Sequence, residues 1–184
     1  MNRLPLHQLA LAGLLTTTLG LTAGCGNADA PANQTTDTGG NSTSAAGETR
    51  IDFTLPDLDG NAQPLSQWDG DLVLLNFWAT WCPPCKEEMP LFQDSFESHR
   101  DDGFTIVAVA IDEHTATQHF VDEFGIEFPV LIGQDEAMEV GYQYGNRIGA
   151  LPYTVLIDRD GNIVETHRGE VEPEHLDAWL DTYL

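Results

Sequence analysis

The chain has 184 residues, with 7 basic against 30 acidic side chains and a formal net charge of -23 at pH 7. Because nucleic acid and anionic lipid are themselves negative, this charge argues against either as an electrostatically recruited partner. The length suits one ordinary domain with a buried core, so we expect a single domain.

The first 24 residues have the features of an export signal. Arg3 gives a positive start, and residues 4–21 form a short apolar segment that glycine and threonine interrupt. The sequence Leu-Thr-Ala-Gly-Cys at 21–25 resembles the lipobox of bacterial lipoproteins, in which the cysteine is lipidated and becomes the new N-terminus. We therefore expect a signal peptide over 1–24 and acyl chains on Cys25 that hold the protein on a membrane. Simple cleavage and an uncleaved anchor are the alternatives.

Residues 25–47 contain Cys25 and then no large apolar side chain. Such a segment cannot bury enough surface to offset the entropy that is lost when it becomes ordered. It is predicted to be a flexible tether, which leaves residues 48–184 as the folded domain.

Strand and helix patterns alternate along that domain. Apolar runs predict strands at 51–55, 72–78, 105–111 and 129–132. Apolar side chains at helical spacing predict three helices, marked by Met89, Phe92 and Phe96, by Ala116, Phe120 and Phe124, and by Leu176, Trp179, Leu180 and Tyr183. Residues 153–158 and 162–167 flank Asp160-Gly161, which predicts an antiparallel hairpin. A parallel order first and a hairpin with a helix last predict an α/β fold with a central mixed β-sheet flanked by helices.

Two of the three cysteines, Cys82 and Cys85, lie in the segment NFWATWCPPCKEEMP at 76–90. A CxxC pair can be a structural staple, half of a zinc site or a redox catalyst. A structural zinc site needs about four ligands, and the chain has neither an HxxxH motif nor a second CxxC. We therefore expect no bound metal and no cofactor.

The segment FWATWCPPCKEEMP, followed by a leucine-proline before TVLIDRDG, resembles the thioredoxin fold and, within it, the TlpA/ResA group of membrane-tethered thiol-disulfide oxidoreductases. This resemblance covers roughly residues 49–184. The opening FTLPDLDGNAQPLSQWDG resembles the N-terminal extension that the group shares with peroxiredoxins, which implies a β extension before the central sheet. The group includes reductases of cytochrome c maturation. It therefore implies a protein disulfide as substrate and a membrane electron donor of the thiol-disulfide type as partner.

Cys82 falls between the end of a predicted strand and the first turn of a helix, where free N–H groups and the helix dipole favour a thiolate. Cys82 is therefore the expected nucleophile toward a substrate disulfide. Cys85, one helical turn on, is expected to resolve the mixed disulfide by forming the Cys82–Cys85 bond. Pro83 and Pro84 suit the first turn of a helix and stiffen the loop that holds the sulfurs.

Glu88 lies three residues after Cys85 and so shares its face of the helix, whereas Glu87 points elsewhere. Thioredoxins commonly place a buried aspartate on the preceding strand to move the proton of the resolving cysteine, and the matching residue here is Asn76, which cannot titrate. The TlpA/ResA group has a glutamate at the position of Glu88. The resemblance thus implies that Glu88 accepts the proton of Cys85, with a raised pKa if it is partly buried. The alternative is an ordinary surface acid.

The peptide bond between Leu151 and Pro152 is expected to be cis and to lie against the CPPC loop, where it would shape a substrate groove. The resemblance favours this reading over an ordinary proline at a strand edge. Trp81 is expected at the rim of the groove, together with Pro83 and Pro84.

The resemblance implies a membrane-tethered, extracytoplasmic and monomeric oxidoreductase, in the periplasm or at the cell surface. It is expected to reduce disulfides of exported proteins such as apocytochrome c. The CPPC sequence alone does not fix the direction of electron flow, so a disulfide-donating oxidase is one alternative. A non-catalytic tethered protein of the same fold, which binds a partner or carries a metal, is another.

Overall fold

The structure, a computed structural model, describes residues 47–184. The predicted signal peptide, Cys25 and all but the last residue of the predicted tether lie outside the described residues. The strands are β1 (Thr54–Pro56), β2 (Ala62–Pro64), β3 (Leu72–Trp78), β4 (Phe104–Ile111), β5 (Val130–Gly133), β6 (Tyr153–Ile157) and β7 (Ile163–Arg168). The α-helices are α1 (Pro83–His99), α2 (His114–Phe124), α3 (Asp135–Gln143) and α4 (Pro173–Tyr183). None of these helices is long and apolar enough to cross a membrane.

Five strands form one mixed sheet in the order β5-β4-β3-β6-β7. The strands β3, β4 and β5 run parallel, whereas β6 is antiparallel to β3 and β7 is antiparallel to β6. Every residue of the central strand β3 is buried, as expected for a strand that helices cover on both faces. The predicted α/β class with a mixed sheet between helices is confirmed.

The alternation of side chains along β3 divides the core into two layers. Leu72, Leu74 and Trp78 face a cluster that includes side chains of α1, α2 and α4. Leu75 and Phe77 face the other cluster, to which α3 contributes. The even-numbered side of β3 therefore points toward the helix that follows the cysteines.

Two strands before the central sheet form the predicted N-terminal extension. They pair as an antiparallel ribbon, and the bridge between Asp57 and Leu131 joins this ribbon to β5. The first described residues pair with the β6–β7 turn instead. Gly47 donates to the carbonyl of Ile163, whose N–H donates to the carbonyl of Glu48 at 2.8 Å.

Some predicted details differ from the structure. The first strand begins at Thr54 rather than at 51, and α3 was not predicted. Phe124 was placed on the apolar face of its helix, but it lies at the last position of α2 and is 49% exposed. It stacks on Phe120 with the ring centroids 4.4 Å apart, so only one face of its ring is covered.

Candidate active site

The two cysteines lie where β3 gives way to α1. Cys82 is the N-cap residue of the helix, and its sulfur accepts a hydrogen bond from the Cys85 N–H at 3.3 Å. Pro83 and Pro84 occupy the first turn, where the N–H groups that proline lacks have no helical partner in any case. A disulfide joins Cys82 to Cys85, with the two Cα atoms 5.3 Å apart.

The two sulfur-bearing residues differ in access to solvent. Cys82 is 5% exposed, whereas Cys85 is completely buried. Of the two cysteines, Cys82 is therefore the one that an attacking thiolate from another protein reaches more readily. This asymmetry agrees with the assignment of separate roles to the two cysteines.

Glu88 lies on the buried face of α1 and is only 1% exposed. One of its carboxyl oxygens accepts a hydrogen bond from Asn76 Nδ2 at 2.8 Å, and the other accepts the Val171 N–H at 2.9 Å. Burial raises the pKa of the Glu88 carboxyl to about 8, because desolvation of the charged form outweighs these two hydrogen bonds. A carboxyl with this pKa exchanges its proton near neutral pH, and it lies one turn along the helix from Cys85.

Asn76 faces Glu88 because it lies on the same side of β3 as Leu74 and Trp78. Its amide nitrogen also donates to Thr154 Oγ1 at 3.0 Å, so both of its N–H bonds are used. The amide oxygen is buried and has no hydrogen-bond partner among residues 47–184. Asn76 stands where thioredoxins commonly have a buried aspartate. Its amide joins β3 to α1 through the hydrogen bond to the Glu88 carboxyl.

The sequence patterns did not predict two residues that contact this site, Thr154 and Val171. Thr154 is the partner of Asn76 in the antiparallel register of β3 and β6, which the hairpin pattern alone does not give. Val171 belongs to the loop before α4 and is buried, although it lies 83 residues from Glu88 along the chain. Only the position of Thr154, two residues after Pro152, gives a sequence signal that could have identified it.

The Leu151–Pro152 peptide bond is cis, and Pro152 is buried. Asn146 holds the preceding loop through hydrogen bonds in both directions with the backbone of Ala150, at 2.8 and 3.0 Å. The Pro152 carbonyl accepts the Gly169 N–H at 3.0 Å.

Of the predicted groove residues, Trp81 and Leu151 line one cavity, whereas Pro83, Pro84 and Pro152 do not line it. Trp81 is 65% exposed where it lines this cavity. In residues 47–184 no group of three or more His, Cys, Asp and Glu side chains is arranged to hold a metal ion.

Comparison with known proteins identifies the family. The AhpC/TSA family matches residues 46–166. The chain is 38% identical over 137 residues to the thiol-disulfide oxidoreductase ResA of Halalkalibacterium halodurans, a match that covers 74% of this chain and 76% of that protein. The chain belongs to the AhpC/TSA family. Within it, the similarity identifies a thiol-disulfide oxidoreductase of the TlpA/ResA type, as the resemblance of its motifs implied.

Further relatives of this AhpC/TSA protein agree. It is 38% identical over 135 residues to the thiol-disulfide oxidoreductase ResA of Bacillus thuringiensis, covering 73% of this chain and 76% of that protein. The thioredoxin domain of a thiol-disulfide oxidoreductase from Bacteroides vulgatus matches with a TM-score of 0.65 and 26% identity, over 74% of this chain and 95% of that one. The predicted thioredoxin-like fold and the predicted enzyme class are confirmed.

Proposed function

We propose that the protein is a lipid-anchored, extracytoplasmic reductase of disulfides in exported proteins such as apocytochrome c. The observation that carries the catalytic part is the buried Glu88 carboxyl on the same helix face as Cys85. Its raised pKa makes it able to take and return a proton near neutral pH. The anchor and the location rest on the lipobox-like sequence that ends at Cys25 and on the polar segment after it.

The reaction begins with the reduced protein. The Cys82 thiolate attacks one sulfur of the substrate disulfide, forms a mixed disulfide and releases the first substrate thiolate. Cys85 then transfers its proton to the ionised form of Glu88, a minor fraction at neutral pH when the pKa is about 8, and attacks the Cys82 sulfur. This step forms the Cys82–Cys85 disulfide and releases the second substrate thiolate. Two electrons have then passed to the substrate, and a membrane dithiol donor has to reduce the Cys82–Cys85 disulfide for the next cycle.

The same carboxyl serves the return step. In the disulfide form its pKa of about 8 keeps Glu88 largely protonated at neutral pH. When the donor attacks Cys82, Cys85 leaves as a thiolate inside the protein, and Glu88 can supply its proton. A buried thiolate without this proton would be costly because nothing solvates it.

The direction of electron flow is tested by the reduction potential of the Cys82–Cys85 pair. A reductase is expected to have a potential near or below about -270 mV, as thioredoxin does. A value toward about -120 mV, typical of a strong oxidant, would instead identify a disulfide-donating oxidase.

The role of Glu88 is tested by the variant Glu88→Gln, which keeps the size of the side chain and removes the titration. We expect the resolution of the mixed disulfide by Cys85 to slow by about 10²-fold and to lose its pH dependence near neutral pH. Glu87→Gln, one residue away and exposed, is the matched control. An unchanged pH dependence of Cys85 reactivity in Glu88→Gln would remove Glu88 from the mechanism.

A further inference from the structure

Exposed apolar side chains gather at one place on the surface. Six large apolar side chains are exposed in residues 47–184, and four of them, Trp81, Met138, Tyr142 and Ile148, line a single cavity of about 500 Å³. Ile148 is the most exposed of these, at 76%. A concave cluster of this kind is typical of a binding site, whereas single exposed apolar residues are ordinary on any protein.

The lining of the cavity includes the residue that precedes the reactive Cys82. Trp81 directly precedes Cys82, and Leu151, which directly precedes the buried Pro152, lines the same cavity. From there the cavity follows the outer face of α3, where Met138 and Tyr142 are one helical turn apart. A segment bound to Cys82 can therefore continue into it.

The outer face of α3 is not needed to hold the helix on the sheet. Ala137, Val140 and Gly141 form the buried side of this helix. Met138 and Tyr142 lie on the opposite side, 52% and 48% exposed. Their apolar surface is therefore available to a ligand rather than used in the core.

The walls of the cavity carry mainly negative charge. Asp135 and Glu139 line it, and an adjoining cleft that shares Trp81 and Met138 adds Asp112 and Glu113. The cationic side chain in these walls, Arg147, is placed with its guanidinium 5.4 Å from the centre of the Tyr142 ring. An acidic segment would meet four carboxylates here, so complementarity favours a basic one.

We propose that this cavity, which we call the α3 groove, docks the polypeptide substrate and selects segments that carry an apolar side chain and lysine or arginine next to the reactive cysteine. The apolar side chain enters between Met138, Tyr142 and Ile148. The basic side chains meet Asp135 and Glu139 at the edge. This assignment rests on the proposed thiol-disulfide exchange at Cys82, and it names the class of substrate for it.

The test compares disulfide-bonded peptides as substrates of the reduced full-length protein. The reference peptide carries leucine and two lysines beside its cysteine; in a second peptide glutamates replace the lysines, and in a third serine replaces the leucine. At low ionic strength we expect kcat/KM to be about tenfold higher for the reference peptide than for the glutamate peptide, and added salt to narrow this difference. Each rate is divided by the rate of the same protein with a small uncharged disulfide.

Two sets of variants separate charge from apolar contact. Asp135→Asn combined with Glu139→Gln is expected to reduce the preference for lysine to about twofold. Glu136→Gln, on the same helix and exposed but outside the groove, is the control for charge. Ile148→Ser is expected to lower kcat/KM for the reference peptide by about fivefold and to leave the serine peptide unchanged. Phe124→Ser removes a comparably exposed apolar side chain elsewhere and controls for surface hydrophobicity.

Three results would overturn the assignment alone, and a fourth would overturn it together with the proposed function. Equal rates with all three peptides would show that the groove selects nothing, although the exchange reaction stands. Faster reduction of the glutamate peptide than of the reference peptide would show that the groove prefers acidic substrates, the opposite of the prediction. Self-association in sedimentation that Ile148→Ser abolishes would identify the groove as a contact between copies of the chain. A protein that does not reduce even the small disulfide would contradict the proposed function itself, and the docking assignment with it.

Discussion

Two carboxylates in this protein, Asp57 and Glu88, each accept hydrogen bonds on both oxygens, yet their pKa values move in opposite directions. Asp57, in the turn between β1 and β2, accepts bonds from the backbone of Asn61 at 2.8 Å and from the side chain of Gln63 at 2.7 Å. The hydrogen bond from Gln63 is the largest cause that lowers the pKa of Asp57. Glu88 also accepts hydrogen bonds on both oxygens, but its pKa rises to about 8.

The two pKa values differ because Glu88 has lost its contact with water and Asp57 has not. Asp57 stays partly exposed, so its charge keeps some solvation and the added donors stabilise it further. The Glu88 side chain lies between its own helix α1, strand β3 and the loop before α4. The hydrogen bonds from Val171 and Asn76 do not make up for the water that its charge loses on burial. The negative charge of Glu170 raises its pKa further. Burial with too few donors thus produces a carboxyl that titrates near neutral pH. Removing or adding hydrogen-bond donors tests this contrast with Asp57.

The largest expected effect is on the stability of the disulfide form. Folded Glu88 holds its proton up to about pH 8, whereas the unfolded carboxyl loses it near 4.5. Glu88 therefore contributes stability that is fully present below pH 4.5 and is lost as the pH rises toward 8, at up to about 1.4 kcal/mol per pH unit. Denaturant unfolding at several pH values should show this slope in the difference between wild type and Glu88→Gln. If the difference in stability between wild type and Glu88→Gln is constant from pH 4.5 to 8, Glu88 is charged in the folded protein over this range, as Asp57 is.

A middle-sized effect is expected from Asn76→Asp. This change removes the N–H donor to Glu88 and places a second carboxyl within hydrogen-bond distance, so the two groups should share a proton and titrate together. We expect the pH profile of mixed-disulfide resolution by Cys85 to move upward by about one unit.

The control for this change is Thr154→Val, which removes the other hydrogen bond of the same amide without adding charge. A smaller shift of the pH profile is expected for it. Equal shifts in Asn76→Asp and Thr154→Val would mean that the placement of the side chain at residue 76, and not an added charge, determines the pKa of Glu88.

The smallest effect is expected from Asp57→Asn. Because the pKa of Asp57 is lowered in the folded state, its contribution to stability is present above the unfolded pKa near 3.8 and is lost as the pH falls below that value. The variant should therefore be slightly less stable than wild type toward urea at pH 7, and this difference should shrink as the pH falls through the folded pKa of Asp57. Asp59→Asn, two residues on and exposed, serves as the control. A loss of stability that is the same at every pH would point to packing rather than to charge.

Local patterns were enough to predict the elements that depend on nearby residues. The apolar run of β3 and the Asp160-Gly161 turn predicted a buried strand and a hairpin because their determinants lie within a few residues. The three-residue step from Cys85 placed Glu88 on the inner face of α1 for the same reason.

Contacts between distant segments could not be predicted in this way. Val171 reaches Glu88 across 83 residues, and the loop that carries it has no periodic pattern. The helix α3 was missed because it presents small residues, Ala137 and Gly141, to the sheet and keeps larger apolar side chains outside. Its pattern is therefore the reverse of an ordinary core-facing helix, and the α3 groove is the consequence.

The pairing of Gly47 and Glu48 with Ile163 fixes the end of the sheet at which residue 47 lies. In the register of β3 and β6, Tyr153 lies beside Phe77 near the cysteines, and Ile157 lies beside Val73 at the other end of the strand, about 13 Å away. The chain thus enters at the pole of the sheet that lies farthest from Cys82. Residue 47 and the Cys82–Cys85 disulfide therefore lie at opposite ends of the sheet, so a protein that reaches the disulfide does not meet the segment at residue 47.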